Sequence, residues 1–494
     1  CVEGRGSRAA MILLGYDPVL VNRLSNEYGL NNAQEVHIVT GSHNQRGGVV
    51  APPDLTEIAR ICDGLDRRVD AVGVAEYWGV RDPVFEREVK SHVRRATGLP
   101  VAAAHELSSE INSMRRAAST LVNARLISLI DDLLAAVRAA LDARGVAAPL
   151  MVVRGDGSLM TEQFARECPV ETMLSGPASS VTGAMRLSGE RDMVVVDIGG
   201  TTTDLAVVRA GRAQLVSDGV DVGGWRTGTR AIDITTVGLG GDSSITWSSK
   251  DGLALSTVRA LPLCQLSSRR PEIRQLLERM ADEDKAFSYA RGVFFVLNRA
   301  LPRHMTLSRD EERALRALKD GPASVEQLAE AMGTRPYLLH LDRLEAMGAL
   351  LRSTVTPTDA MHAMGTFCQF DVEASQLGMR LMARQAELSE QALIDRVMDM
   401  AGARLHHLIA GALMKRALKK PVGEPGTMAL GYEPLGDELD IGYRVKIPVV
   451  GIGAPAGLML ERAAARLEAR LVLPQDFGVA NAVGAITGSI VSQA

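Results

Sequence analysis

Aromatic side chains are scarce in this chain, 4% of 494 residues, although 46% of the residues are hydrophobic. The apolar bulk comes instead from small and aliphatic residues, which suits α/β layers with close helix–sheet contacts. The five cysteines, Cys1, Cys62, Cys168, Cys264 and Cys368, are scattered and form no C-x-x-C pair. That argues against a disulfide framework, an iron–sulfur cluster and a thiolate zinc site, and fits a reducing compartment. No apolar run approaches the length of a transmembrane helix, and no secretory leader is visible. A net charge of −4 gives no electrostatic footprint for nucleic acid over the chain as a whole. The expectation is a cytoplasmic protein of two or more domains, with neither a membrane nor a nucleic-acid partner. Two familiar phosphate signatures are also missing. There is no G-x-x-x-x-G-K-[ST], and no G-x-G-x-x-G that leads from a strand into a helix.

What is present centres on residues 193–208, M-V-V-V-D-I-G-G-T-T-T-D-L-A-V-V. A β-branched run ends at Asp197. The turn Gly199, Gly200, Thr201, Thr202, Thr203 follows, and Asp204 opens a second apolar run. That is strand, tight turn, strand. Glycines permit positive φ and let backbone N–H groups approach a ligand closely. Threonine hydroxyls add donors, and Asp197 at the end of a buried strand suits a magnesium ion held largely through water. A glycine hairpin with polar turn residues is commonly only a hairpin. Two acids bracketing G-G-T-T-T between buried strands are more specific, and they point to a nucleotide phosphate.

Residues 1–173 alternate strand patterns (10–14, 34–40, 71–75, 99–104, 150–154) with helix patterns (55–65, 84–97, 120–143), which is α/β with parallel pairing. In residues 171–186, Pro177 followed by small residues reads as a helix that must pack very closely on something. A second glycine-rich turn, Gly238-Leu239-Gly240-Gly241-Asp242, leads into a strand. Residues 261–355 change character. A charged helix at 269–280 precedes a helix, a Gly321-Pro322 turn, a helix at 325–332, a further helix at 336–347 and a strand at 349–355. The pattern resembles a winged helix-turn-helix, either as an insert that packs on the core or as a DNA reader. Eight acids and eight bases over residues 303–355 make it near neutral, with little counterion-release drive toward DNA. The last part returns to α/β. Helices fall within 382–418, where His406-His407 reads as a surface or packing feature. A strand at 443–450 meets Gly451-Ile452-Gly453-Ala454-Pro455, which opens a helix to about residue 469. A strand at 471–474 and a closing helix at 478–491 follow.

In this order the pieces resemble the actin-like ATPase superfamily, which includes acetate and sugar kinases, heat-shock chaperones and hexokinase. Within it, the chain is similar to the hydantoinase/oxoprolinase family, the HyuA-type subunit. The resemblance spans nearly the whole chain. It rests on H-E-L-S-S-E-I at 105–111, S-T-L-V-N-A at 119–124, R-G-D-G-S-L at 154–159, S-G-P at 175–177, D-I-G-G-T-T-T-D at 197–204, T-P-T-D-A at 356–360 and G-I-G-A-P at 451–455. It implies an α/β fold of ribonuclease-H-like, actin-type ATPase lobes with a helical, winged-helix-like insert. Residues 1–173 would be the remainder of the first lobe, 174–260 and 356–494 the second lobe, and 261–355 the insert. The chain departs from the family in three places. Asp242 stands where larger members have a third glycine, the Arg154 segment lacks one glycine, and the first lobe's own D-x-G-G-T hairpin is absent. C-V-E-G-R-G at 1–6 resembles the tail of a family motif, which implies a chain lacking half of its phosphate clamp and inactive by itself.

The implied chemistry is activation of a cyclic amide, a hydantoin or 5-oxoproline-like lactam, by ATP with Mg2+. Phosphoryl transfer to the carbonyl oxygen would create a leaving group, and a HyuB-type partner subunit within an oligomer would complete hydrolysis, or carboxylation in the ketone carboxylase branch. Under this resemblance Asp197 would hold magnesium and Gly199, Gly200, Thr201, Thr202 and Thr203 the phosphates. Gly240, Gly241, Gly453 and Ala454 would surround the nucleotide, and Asp204 would orient the hairpin or a water. His105 and Glu106 are substrate-side candidates or helix caps. A ROK-type sugar kinase would show a cysteine-rich zinc motif and an activator of corrinoid enzymes its cluster cysteines; neither is present. A nucleotide-sensing regulator that uses the insert is the non-enzyme alternative.

Overall fold

The computed structural model describes residues 6–216, 219–248, 250–283, 291–301, 305–418 and 443–489. Most of the opening C-V-E-G-R-G stretch, Arg303 of the insert and the last residues of the closing-helix pattern lie outside them. The chain forms two compact units: residues 1–186, 212–233 and 480–494, and residues 187–211 and 234–479.

In the first unit, strands β1 (Ala9–Leu14), β2 (Glu35–Val39), β3 (Ala71–Glu76) and β4 (Val101–Ala103) form a parallel sheet in the order β2-β1-β3-β4. Every residue of β1 and β3 is buried. Both faces are covered, which is why these strands read as near-continuous apolar runs. Met11, Leu13 and Ala75 pack with Ala117, Leu121 and Val122 of the helix Ser113–Asp142. Ile12, Leu14 and Val74 pack with Phe85, Val89 and Val93 of the helix Val84–Thr97. The long helix starts at Ser113, ahead of the position that its apolar pattern suggested. Asn112 caps it there by accepting the Arg115 N–H at 3.1 Å.

The small-residue helix Ser175–Ser188 finds its close partner in the helix Ala480–Thr487. A side chain at Gly183 would run into the Ala480 carbonyl, and one at Gly484 into the Ser179 carbonyl. Asn481 fixes the crossing by donating to Gly176 O (2.8 Å) and Ser180 Oγ (3.1 Å).

In the second unit, β5 (Met193–Ile198), β6 (Thr203–Arg209) and β7 (Ile234–Val237) form an antiparallel meander, and β8 (Ser243–Ser248) pairs with the strand Gly252–Arg259. On the other side of β5 lie β9 (Val449–Ile452) and β10 (Leu471–Val472), both parallel to it. Val194, Val196, Ile198 and Leu205 join one core with side chains from the helices Val372–Gln385, Glu390–Leu418 and Ala456–Arg466.

Several expected boundaries move. The strand expected at 443–450 begins at Val449, because Pro448 has no N–H to give a ladder. The helix expected to open at Gly451 begins at Ala456, after Gly453 turns with φ +86°. The helix expected at 336–347 is broken into a 3-10 turn, Pro336–Leu338, and a five-residue helix, Asp342–Ala346, with Leu339 extended between them. Leu341 and Leu344 enter the small core around Phe295, Leu318 and Leu328, whereas Tyr337 and Leu338 are 56% and 51% exposed, so they share no stripe. His406 is buried, and that burial, with His407 and Arg466 nearby, pushes its imidazole down to about 4. Among the described residues no helix is long and apolar enough to cross a membrane.

Candidate functional site

The hairpin between β5 and β6 brings the two predicted acids together. Asp204 lies directly opposite Asp197 in the antiparallel register, and Thr236 of β7 lies opposite Asp204 on its other side. Side chains opposed in this way share one face, with Cβ atoms about 4.5–5.5 Å apart, and like charges there repel. Burial raises the Asp204 carboxyl above its ordinary range. Thr236 opposes the rise by donating its hydroxyl to Asp204 Oδ1 at 2.5 Å, and the Asp197 charge adds to it. Two carboxylates held face to face at strand ends form a place where a cation is favourable. Among the described residues no cluster of three or more His, Cys, Asp or Glu side chains is grouped to hold a metal. Two facing carboxylates are a number that, with phosphate oxygens and water, ordinarily holds magnesium.

The turn rests on a second turn. Gly199 closes it by donating to Thr202 O (2.9 Å). The carbonyls of Gly199 and Gly200 accept the N–H groups of Gly241 (3.1 Å) and Asp242 (2.6 Å), and the Thr203 hydroxyl donates to Leu239 O at 2.7 Å. Any side chain at Gly240 would meet the Gly199 and Gly200 carbonyls, and one at Gly453 would meet the Ile198 carbonyl. Glycine is required at both positions by close backbone approach, a reason stronger than turn propensity. Thr358, in the T-P-T-D-A segment, donates its N–H to Gly241 O at 2.9 Å. Asp359 is fully buried and accepts from Cys264 N (2.9 Å), Thr356 Oγ1 (2.9 Å) and Ser375 Oγ (2.9 Å), so that segment is a structural hub beneath the turns.

The sequence-selected residues thus divide. Gly200 and Thr201 are exposed at the tip, with Thr202 beside them. Thr203, Gly240 and Gly241 are buried, with the Thr203 hydroxyl and the Gly241 N–H engaged within the protein. Gly453 donates its N–H to Phe477 O (3.0 Å), and Ala454 is exposed next to it. Asp242, first noticed as a departure, places its carboxylate beside Gly200 and lies 3.5 Å from Arg259. Burial raises its carboxyl, Arg259 opposing.

His105 and Glu106 belong to the first unit. Glu106 accepts Lys90 Nζ (2.6 Å) and the Ala103 N–H (3.3 Å), closing the short helix Ala104–Leu107. Both residues line a polar cavity of about 250 Å³ with Ser108, Arg154, Glu171 and Arg230. Sequence reasoning missed Glu171 and Arg230, and no spacing signal marks them.

The hydantoinase/oxoprolinase family model matches residues 116–257. That stretch contains the Asp197 hairpin, the Gly240 turn and the Arg154 segment. Over these residues the chain is similar to a hydantoinase/oxoprolinase domain. Over 204 residues it is 30% identical to the caprolactamase subunit alpha of Pseudomonas jessenii, covering 40% of this chain and 29% of that protein. Over 227 residues it is 27% identical to 5-oxoprolinase of Saccharomyces cerevisiae, covering 45% and 17%. Nucleotide-free acetone carboxylase superimposes with a TM-score of 0.61 at 14% identity, covering 99% of this chain and 59% of that one. The last likeness establishes a shared mixed α/β fold. The matched stretches cover less than a third of the curated relatives' lengths.

Proposed function

We propose that this chain is the ATP-handling part of an enzyme that activates a cyclic amide, a hydantoin or 5-oxoproline-like lactam. The observation that carries this is the Asp197–Asp204 hairpin, whose tip exposes Gly200 and Thr201 with Thr202 half-buried beside them, held on glycine backbone with two facing carboxylates at its base. An amide carbonyl resists water because its nitrogen donates into it. Transfer of the γ-phosphoryl group of ATP to the carbonyl oxygen releases ADP and the N–H proton and gives an O-phosphorylated imidate. One water adds to its carbon, the ring C–N bond breaks with the nitrogen leaving as the amine, and a second water hydrolyses the resulting acyl phosphate to the free acid and inorganic phosphate. The tip N–H and hydroxyl groups of Gly200, Thr201 and Thr202 hold the phosphates without rearranging, which is the preorganisation such a transfer needs. Asp197 and Asp204 would hold Mg2+, which when bound neutralises phosphate charge. Gly453 and Ala454 would border the nucleotide. The similarity to a protein named as a caprolactamase subunit supports a HyuB-type partner and an oligomeric assembly. The mixed sheet around the hairpin supports actin-type ATPase lobes.

Calorimetry with a non-hydrolysable ATP analogue and magnesium tests the site. Asp197→Asn is expected to weaken magnesium-dependent binding by roughly tenfold or more, the equivalent of ~1.4 kcal/mol; unchanged binding would remove the assignment. ADP release in the presence of a partner subunit, measured with hydantoin, 5-oxoproline, caprolactam, and a ketone with bicarbonate, separates amide activation from carboxylation.

A further inference from the structure

The cavity of about 250 Å³ in the first unit has a chemistry of its own. Most of its charges are already matched. Arg154 binds Glu171 through Nη2 at 2.6 Å, and Lys90 binds Glu106 at 2.6 Å. Burial raises the Glu171 carboxyl, with Arg154 opposing. Cys168 is no nucleophile, because burial first and the Glu171 charge second push its thiol up to about 12. Two lining groups remain. Arg230 is exposed and makes no close ion pair among the described residues, although its charge reaches Glu171 and helps Arg154 oppose the rise there. His105 is held from behind: its backbone N–H and its Nδ1 both lie 2.7 Å from Glu86 Oε2, and Glu86 is fully buried. Glu86 is fixed in turn, its Oε1 accepting the Glu76 N–H at 2.8 Å.

Toward a carboxylate, which only accepts when ionised, Nδ1 of His105 is the donor, and in the neutral imidazole that tautomer makes Nε2 the acceptor. His43 and Glu76 repeat the motif, with the His43 N–H and Nδ1 on Glu76 Oε1 at 2.7 and 2.9 Å. That pair is fully enclosed, with His43 stacked on Phe85 at 4.2 Å, and has no outlet. The His105 side chain remains 13% exposed and lines the cavity. A buried carboxylate behind an accessible imidazole is the arrangement that makes the imidazole a proton acceptor in nucleophile-and-base sites generally.

We propose that this cavity binds a small carboxylic acid with an N–H or O–H next to its carboxylate. The carboxylate pairs with Arg230, and the neighbouring donor is presented to Nε2 of His105. When the proton moves, Nε2 gains it, the imidazolium is matched by the Glu86 carboxylate, and the reverse transfer returns it to the ligand. An exposed guanidinium without a close ion-pair partner and an imidazole backed by a carboxylate, both lining one cavity, define that ligand class. The proposal deepens the substrate half of the reading above and rests on it for the choice of probe. It places no demand on the Asp197 hairpin, so nucleotide calorimetry and the following experiment fail independently.

Diethyl pyrocarbonate acylates the unprotonated imidazole nitrogen, and peptide mass spectrometry resolves His105 from the other histidines. In the whole chain, 5-oxoproline is expected to protect His105, and 2-pyrrolidinone, which lacks the carboxylate, is not. Arg230→Ala is expected to raise the 5-oxoproline concentration for half protection by about tenfold or more, as for a lost charge-assisted contact. Glu86→Gln offers an amide N–H to Nδ1, moves the proton to Nε2, and is expected to slow acylation severalfold. Equal acylation with and without 5-oxoproline, protection that survives Arg230→Ala, or an unchanged rate in folded Glu86→Gln would each overturn the proposal. If Glu86→Gln does not fold, the Arg230 arm decides, because an exposed arginine can be replaced without touching the core.

Discussion

At the scale of single residues, Asp204 and His406 have opposite pH signatures. Asp204 has a raised carboxyl in the folded chain, chiefly through burial. The folded state then binds that proton more tightly than the unfolded state, so stability declines as pH rises above the ordinary carboxyl value of 3.8. Asp204→Asn, which can still accept from Thr236, is expected to be more stable than the wild type at neutral pH, with the gap closing below about pH 4. Urea melts across pH check this; a gap that widens on acidification contradicts it. The same variant is expected to bind magnesium nucleotide more weakly, a gain in stability at the expense of function. His406 behaves the other way. Its imidazole, pushed down to about 4 from 6.5, keeps the unfolded chain the better proton binder in that window. Stability is therefore lost as pH falls from 6.5 toward 4, by about 2–3 kcal/mol at most. His406→Leu is expected to flatten that slope in the same melts.

At the scale of elements, the crossing of Ser175–Ser188 with Ala480–Thr487 is the tightest test of packing. Helices approach this closely only where side chains are missing, and Gly183 and Gly484 each face the other helix's backbone. Gly183→Val is expected to destabilise by about 1–3 kcal/mol or more through overpacking. Gly176 lies on the same helix with nothing within contact distance of an added methyl. Gly176→Ala is expected to be neutral or to stabilise by up to ~1 kcal/mol. Equal losses at the two glycines in thermal melts would show that the crossing is not what selects them. The glycine turns at 199–200 and 240–241 follow the same logic, with the difference that they leave one exposed tip.

At the scale of the whole molecule, charge and partnership decide what the chain does. The helical insert places its apolar residues in its own small core, and its short helix Asp342–Ala346 carries Asp342 and Glu345 beside Arg343. Glu345 is paired to Arg352 at 2.7 Å and Arg343 to Glu311 at 2.7 Å, so cations near that helix are already matched. The chain is expected not to shift duplex DNA at about micromolar concentration in low salt, inside the usual non-specific range. A salt-sensitive shift would favour the regulator alternative. Lactam-dependent ADP release is expected to require a partner subunit; full turnover by this chain alone would refute that dependence.

Local chemistry written in consecutive residues was legible without a fold. The strand–D-I-G-G-T-T-T-D–strand pattern, the parallel α/β alternation as far as residue 103 and the need of the Ser175 helix for a close partner follow from period and turn chemistry, and motif order carries the family resemblance. The strand expected at 150–154 instead pairs antiparallel with Leu159–Thr161, outside the parallel sheet. What tertiary structure decided was pairing at a distance. Asp204 meets Asp197 and Thr236 only through strand register, and Gly240 is required by carbonyls that belong to another turn. The Glu86–His105 pair joins a helix buried under one sheet face to the end of β4. The broken helix at 336–347 shows the limit from the other side. Its leucines keep helical spacing in the sequence, but the small core has room for Leu341 and Leu344 and none for Leu338, and the available burial, not the period, set where the helix stops.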